Sequence, residues 1–216
     1  MSHLKRESAP NKWPVERKGT AYIVKPNFGM EEGIPMLIVL REIMKLAQNR
    51  REAKKIIHAR QILVNEKAVK DEKSNVLFFD TLNVLPLKKS YRVELSDNGK
   101  FFLNEIKDNE AGRKIAKIIN KKVLKGKKTQ LNLSDGRNFI SDIKCNTNDS
   151  VLINLKEGKI EKCIPLKDKA KAVVFSGKHI GKKGEITKLN IEDKIATIKS
   201  GEKEINILIN QLMIVE

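Results

Sequence analysis

The spacing of apolar and polar positions divides the chain into a patternless opening, a helical stretch and a long run of short strands. Residues 1–33 carry neither a helical nor a strand period and are broken by Pro10, Pro14 and Pro26, which predicts an extended arm. Over residues 36–47 the apolar positions Val39, Leu40, Ile43, Met44, Leu46 and Ala47 gather on one side of a 3.6-residue wheel. Arg41, Glu42, Lys45 and Gln48 fill the other side, which predicts an amphipathic helix. A second helix is expected to start at Asn49, whose side chain can cap free backbone donors while Glu52, three residues on, completes a capping box. Its faces separate cleanly. Ala53, Ile56 and Ile57 share one face, and Arg51, Lys54, Lys55 and His58, next to Arg50, share the other.

After residue 61 a period of two takes over. Residues 62–64 and 67–69 flank Asn65-Glu66 and read as a hairpin, although the second turn position lacks its usual Gly. Residues 76–79, 82–85, 91–95 and 101–103 are further strand candidates, the last two joined across Asp97-Asn98-Gly99. Residues 115–119, 130–133 and 151–155 continue the pattern, with turns at Ser134-Asp135-Gly136 and Glu157-Gly158; residues 105–119 also permit a helix. Residues 172–175, 184–189, 195–199 and 205–209 suggest a small β-barrel closing its own edges. The expected fold class is therefore α+β and multidomain.

Charge narrows the choice of partner. The 216 residues carry a net +17, a field that attracts polyanions, with nucleic acid first among them. Residues 1–62 hold 13 basic against 6 acidic side chains, residues 63–110 hold 8 against 9, and residues 111–216 hold 23 against 12, so the charge sits at both ends. Of the basic residues 35 are Lys and 9 are Arg, which favours point-charge contacts to phosphates over bidentate contacts to base edges. Aromatics make up only 5%, so the cores must be aliphatic. Trp13 could stack on a base or anchor the arm to its own protein. No stretch approaches the apolar length of a membrane span, and a cytoplasmic protein is expected.

Two constellations stand out. The first is the basic stripe Arg50, Arg51, Lys54, Lys55 and His58, continued by Arg60, which can meet successive phosphates while the opposite face stays in its core. The alternative is a solvated lysine-rich face. The second is residues 176–186, where Gly177, Gly181 and Gly184 permit turns beside Lys178, His179, Lys182 and Lys183. Its spacing fails the nucleotide-triphosphate loop pattern. Cys145 and Cys163 stand 18 residues apart without a Cys-x-x-Cys pair, so two reduced thiols are expected and no metal. His3, His58 and His179 are dispersed and no nucleophile or metalloprotease motif occurs, so no enzyme, cofactor or small-molecule substrate is expected.

The residues HLKRESAPNKWPVERK, the stretch from Pro35 to Leu85, TQLNLSDGRN and GKHIGKKGEI, in that order, resemble the small-subunit ribosomal protein S-four family of the eukaryotic and archaeal type. The resemblance implies a basic N-terminal arm (1–33), an S-four-type RNA-binding module with adjoining strands (34–104), a central β-rich domain (105–170) and a KOW SH3-like barrel (171–216). It implies small-subunit ribosomal RNA and neighbouring ribosomal proteins as partners. RNA-facing positions would be Lys5, Arg6 and Lys12 of the arm, Arg50, Arg51, Lys54, Lys55, His58, Arg60 and Lys67 of the module, and Lys178, His179, Lys182 and Lys183 of the KOW segment, with Gly177, Gly181 and Gly184 as structural turn positions. The competing functions are an RNA-modifying enzyme, which would need a far larger catalytic domain than the chain leaves room for, and a KOW-bearing assembly or transcription factor that binds mainly protein.

Overall fold

Helix is confined to short segments, and the residues that end them explain why. In the computed structural model, which describes residues 3–141, 143–201 and 203–215, the first helical segment is α1 (Met36–Ile38) running into a wider π-helical turn, Val39–Ile43. It stops four residues earlier than the pattern predicts. Lys45 enters the left-handed region at φ 54° and the Leu46 N–H returns to the Leu40 carbonyl at 2.9 Å, as in a helix C-cap. The amphipathic expectation also fails: Met36 through Leu40 are all buried, while Leu46, assigned to the apolar face, lies at the surface. The helix α2 (Arg50–His58) follows as expected.

The chain forms two units, Met1–Gly112 and Arg113–Glu216. In the first, β1 (Leu4–Lys5) pairs with β2 (Tyr22–Ile23), and β3 (Gly33–Pro35) pairs with a later strand, β6 (Asn75–Leu77). The main sheet comprises β4 (Ile62–Val64), β5 (Lys67–Ala68), β7 (Thr81–Val84), β8 (Lys89–Leu95) and β9 (Phe101–Ile106), in the order β5-β4-β7-β8-β9. One turn of helix, α3 (Asp108–Ala111), ends the unit; the helix permitted over 105–119 is limited to it.

The N-terminal segment is not a free extended arm. Trp13 is 2% exposed and its indole N–H donates to the Gly33 carbonyl at 2.8 Å. The Phe101 N–H donates to the Lys12 carbonyl at 2.8 Å, and the Asn75 amide donates to the carbonyls of Phe28 and Gly29. Of the two roles open to Trp13, anchoring is the one it takes. An indole buried with its N–H satisfied stabilises far more than the segment's few ladder bonds.

The hairpin β4–β5 turns at Asn65 and Glu66, with φ 50° and 63°, the signature of a type I′ turn. Each non-glycine residue there costs roughly 1 kcal/mol. The Asn65 side chain offsets this, donating to Asp80 Oδ1 at 2.8 Å and accepting the Thr81 N–H at 3.2 Å, while Asp80 Oδ2 accepts the Leu77 N–H at 2.7 Å.

The second unit holds two five-stranded antiparallel sheets. The first comprises β10 (Arg113–Val123), β11 (Thr129–Leu133), β12 (Asn138–Ser141), β13 (Ser150–Asn154) and β14 (Lys159–Ile164), ordered β12-β11-β10-β13-β14. Its core gathers Ile118, Leu131, Leu133, Val151 and Ile153. The other comprises β15 (Lys171–Val174), β16 (Lys183–Asn190), β17 (Ile195–Ser200), β18 (Lys203–Leu208) and β19 (Leu212–Ile214), ordered β18-β17-β16-β15-β19, around Val174, Ile186, Ile198 and Leu212. No ladder joins β18 to β19 among the described residues, so the edges of the expected barrel are not closed by backbone pairing. Two polar contacts tie the halves together. The buried Lys117 ammonium donates to the Ile209 carbonyl, with burial pushing its pKa down to about 8, and the Ile214 N–H donates to Ser150 Oγ at 3.0 Å. The chain as a whole is mostly strand with few helices, which corrects the balance implied by α+β.

The three glycines of residues 177–184 divide by role. Gly177 and Gly181 adopt φ 87° and 88° and serve as turn residues. Gly184 does not: it lies within β16, and a Cβ there would collide with the Lys199 carbonyl oxygen and sit 2.6 Å from Ile198 Cγ2. Its function is close approach of neighbouring strands. Gly184→Ala is expected to destabilise the second unit by about 1–3 kcal/mol through overpacking, read as a lowered urea midpoint; an unchanged midpoint would mean that β17 moves aside without cost.

Candidate nucleic-acid interface

The basic face of α2 is built from its cap outward. Asn49 holds extended backbone angles and its Oδ1 accepts the Glu52 N–H at 3.0 Å. The Glu52 carboxylate reaches back to the Gln48 N–H at 2.7 Å rather than to the Asn49 N–H, and also takes the Asn49 amide at 2.7 Å. The capping box thus closes one residue further out than expected. Ala53 and Ile57 are buried and Ile56 half-buried, which fixes the helix rotation and leaves Arg51, Lys54, Lys55 and His58 exposed. Arg60 is exposed at φ 53°, its N–H on the Ile57 carbonyl, and Lys67 is exposed on the hairpin.

Glu72 was not legible as part of this face. Its side chain is only 9% exposed and accepts Arg50 Nε at 3.1 Å and the guanidinium NH2 at 2.5 Å, with Lys54 Nζ at 3.6 Å. It therefore holds Arg50 in place and draws Lys54 toward it, leaving Arg51 and Lys55 as the two cations directed away. Nothing local in the sequence marks a partner 22 residues distant.

The N-terminal cations divide similarly. Lys5 is exposed. The Arg6 guanidinium is engaged internally, donating to the carbonyls of Thr20 and Glu16 at 2.7 and 2.8 Å and to Thr20 Oγ1 at 2.8 Å. Lys12 is half-buried and donates to the Glu31 carbonyl at 3.2 Å; burial holds its pKa below the usual lysine value despite the raising effect of Glu31 and Glu32. Arg6 and Lys12 thus fold the segment rather than extend from it.

In the second unit, the Gly177–Gly184 segment folds back between β15 and β16, with the Val174 N–H on the Lys182 carbonyl at 3.0 Å and the Gly181 N–H on the Val174 carbonyl at 2.8 Å. Lys178 and Lys183 are exposed, His179 and Lys182 half-buried. Cys145 is buried and Cys163 half-buried, and burial together with Cys145 and Asp149 pushes the Cys163 thiol up to about 12. Among the described residues no group of three or more His, Cys, Asp or Glu is placed to hold a metal ion, and no helix is long and apolar enough to cross a membrane.

A short capped helix presenting cations beside a hairpin-led sheet defines the S4-domain class, and residues 38–82 match the S4 domain model. Residues 2–29 match the RS4NT domain and residues 87–160 the ribosomal family S4e. The chain is similar to small ribosomal subunit protein eS4 of Methanothermobacter thermautotrophicus, 38% identical over 192 residues that cover 88% of this chain and 79% of that protein. It is also similar to eS4 of Caldivirga maquilingensis, 34% identical over 227 residues covering 100% and 95%. The crystal structure of the 30S ribosomal protein S4e from Thermoplasma acidophilum matches with a TM-score of 0.74 at 25% identity, covering 85% of this chain and 95% of that one. The chain belongs to the S4e family of ribosomal proteins.

Proposed function

We propose that this protein is a structural constituent of the small ribosomal subunit, where it binds and organises the subunit's RNA and abuts neighbouring ribosomal proteins in the cytoplasm. The observation that carries this reading is α2: a helix locked by its cap and by buried Ala53 and Ile57, with Arg51, Lys55 and His58 exposed on the far side. Arg60 and Lys67 extend the same surface, and Lys178, His179, Lys182 and Lys183 supply a further one on a KOW-type, SH3-like barrel formed by β15–β19. The role is binding, not turnover. Asp135, the acidic residue nearest to a modifying enzyme's motif, is buried in an ion pair with Lys114, which disfavours a nucleophilic role for it.

Sedimentation of a native extract at low and high salt tests the whole reading. Co-migration with the small subunit at high salt is expected; release at modest salt would point to an assembly factor instead, because electrostatic attachment alone weakens steeply as salt rises. Within α2, Arg51→Glu with Lys55→Glu is expected to weaken RNA binding about tenfold or more and to flatten its salt dependence by roughly two charge equivalents, with native circular dichroism. Unchanged affinity would remove this face from the interface.

A further inference from the structure

The β10–β11 hairpin combines features that the surfaces above leave unused. Residues 113–134 hold eight basic side chains and no acidic one. Four of the eight have partners within the unit: Arg113 pairs with Glu161, Lys114 with Asp135, and Lys117 and Lys121 donate to the carbonyls of Ile209 and Cys145. Lys122, Lys125 and Lys128 are exposed toward the free end, where Gly126, at φ 82°, turns the chain.

The pleat organises what lies beside them. Leu131 and Leu133 face the core, so Gln130 and Asn132 project from the opposite face. The register then places Asn120, Asn132 and Asn138 side by side across three strands, and Lys122, Gln130 and Ile140 in the next row. Ile140 is 62% exposed, and Val123, at the strand end, 70%. The face is thus a row of amides, a row mixing charge with an uncovered aliphatic side chain, and a cationic tip.

We infer that this face is a third RNA-binding surface, an inference that rests on the small-subunit reading. The tip lysines would meet phosphates, the amide row would donate to and accept from ribose hydroxyls and base edges, and Ile140 would pack on a sugar or base. RNA is favoured over protein by charge complementarity, since an uninterrupted basic stretch calls for a polyanion and lysine is depleted in the centres of protein interfaces.

The test uses the full chain and full-length small-subunit ribosomal RNA, with affinity followed from 50 to 200 mM salt, values on the order of those that resolve counterion release. Replacing Lys122, Lys125 and Lys128 together by Gln is expected to lower affinity roughly tenfold and to make the salt slope shallower by about two to three. Asn132→Ala is expected to lower affinity severalfold without changing the slope. A photo-crosslinker at Ile140 is expected to label RNA in assembled small subunits. Wild-type binding by the triple Gln variant, with the Arg51→Glu, Lys55→Glu variant weakened, would overturn the hairpin surface and leave the small-subunit reading standing. A crosslink to protein alone would overturn it in favour of a protein contact. If the wild-type chain itself failed to bind the RNA, the small-subunit reading would fall and the hairpin surface with it.

Discussion

Trp13→Ala is expected to cost the first unit about 3–5 kcal/mol, the range for removing a buried indole from a packed site. The loss has three sources. The ring is 2% exposed, so its truncation leaves a cavity; the Gly33 carbonyl loses its donor at 2.8 Å; and the neighbouring Lys12 carbonyl, which accepts the Phe101 N–H, loses the group that holds it in place. Because residues 4–23 add only a two-residue ladder of their own, the segment should peel away before the sheet melts. Urea denaturation would show the lowered midpoint, and limited trypsin digestion would show early cleavage around Arg17 and Lys18. A variant with the wild-type midpoint and no early cleavage would show that the segment is held by its other contacts alone.

Asp135→Ala is expected to cost the second unit a similar amount, roughly 3–5 kcal/mol. Lys114 and Asp135 face each other at 2.7 Å with side chains 2% and 5% exposed, and Arg137 stands at 3.6 Å. The substitution removes a carboxylate from beside a buried ammonium, and breaking a buried pair from one side costs more than the pair contributes when intact. The same pair predicts a pH dependence. Burial works to raise the Asp135 pKa, but the Lys114 charge and hydrogen bond, the Arg137 N–H and the Arg137 charge together hold it below the usual carboxylate value. Its stabilisation is therefore present above the ordinary aspartate range and is lost as pH falls through the depressed folded-state value. Wild-type stability should drop on acidification from pH 5 toward about 2, while the Asp135→Ala variant should lose less over the same interval. Parallel curves would show that other carboxylates dominate acid unfolding.

What could be read along the chain was what depends on neighbours in sequence. The Asn49–Glu52 cap, the apolar face of α2 and the turn at Asn65-Glu66 are local and were legible. So were the two-residue alternations that became β8, β11 and β13. The first helix departs from the pattern because a helical wheel assumes one wet face, and Met36 to Leu40 have none. The strand β19 leaves no period-two signal in the sequence, because three consecutive buried residues carry no alternation. Burial of the N-terminal segment, the hold of Glu72 on Arg50, and the division of Gly184 from Gly177 and Gly181 all depend on contacts between residues far apart in the chain. A basic residue read from sequence is only a charge; whether it is directed outward, as Lys55 is, or engaged inside, as Arg6 is, depends on such contacts.

The turn at Asn65 bears on chemical ageing. Asparagine followed by glycine is the pair most prone to cyclise through attack of the next backbone nitrogen on the side-chain amide, which releases ammonia and leaves isoaspartate. Here the following residue is Glu66, the amide nitrogen is committed to Asp80 and the amide oxygen to the Thr81 N–H. The side chain is thus held away from the attack geometry while the backbone keeps the left-handed conformation that glycine would ordinarily supply. This hairpin thus keeps its turn without the labile pair, whereas the turn between β8 and β9 retains one at Asn98-Gly99, so ageing of the first unit is expected to begin there.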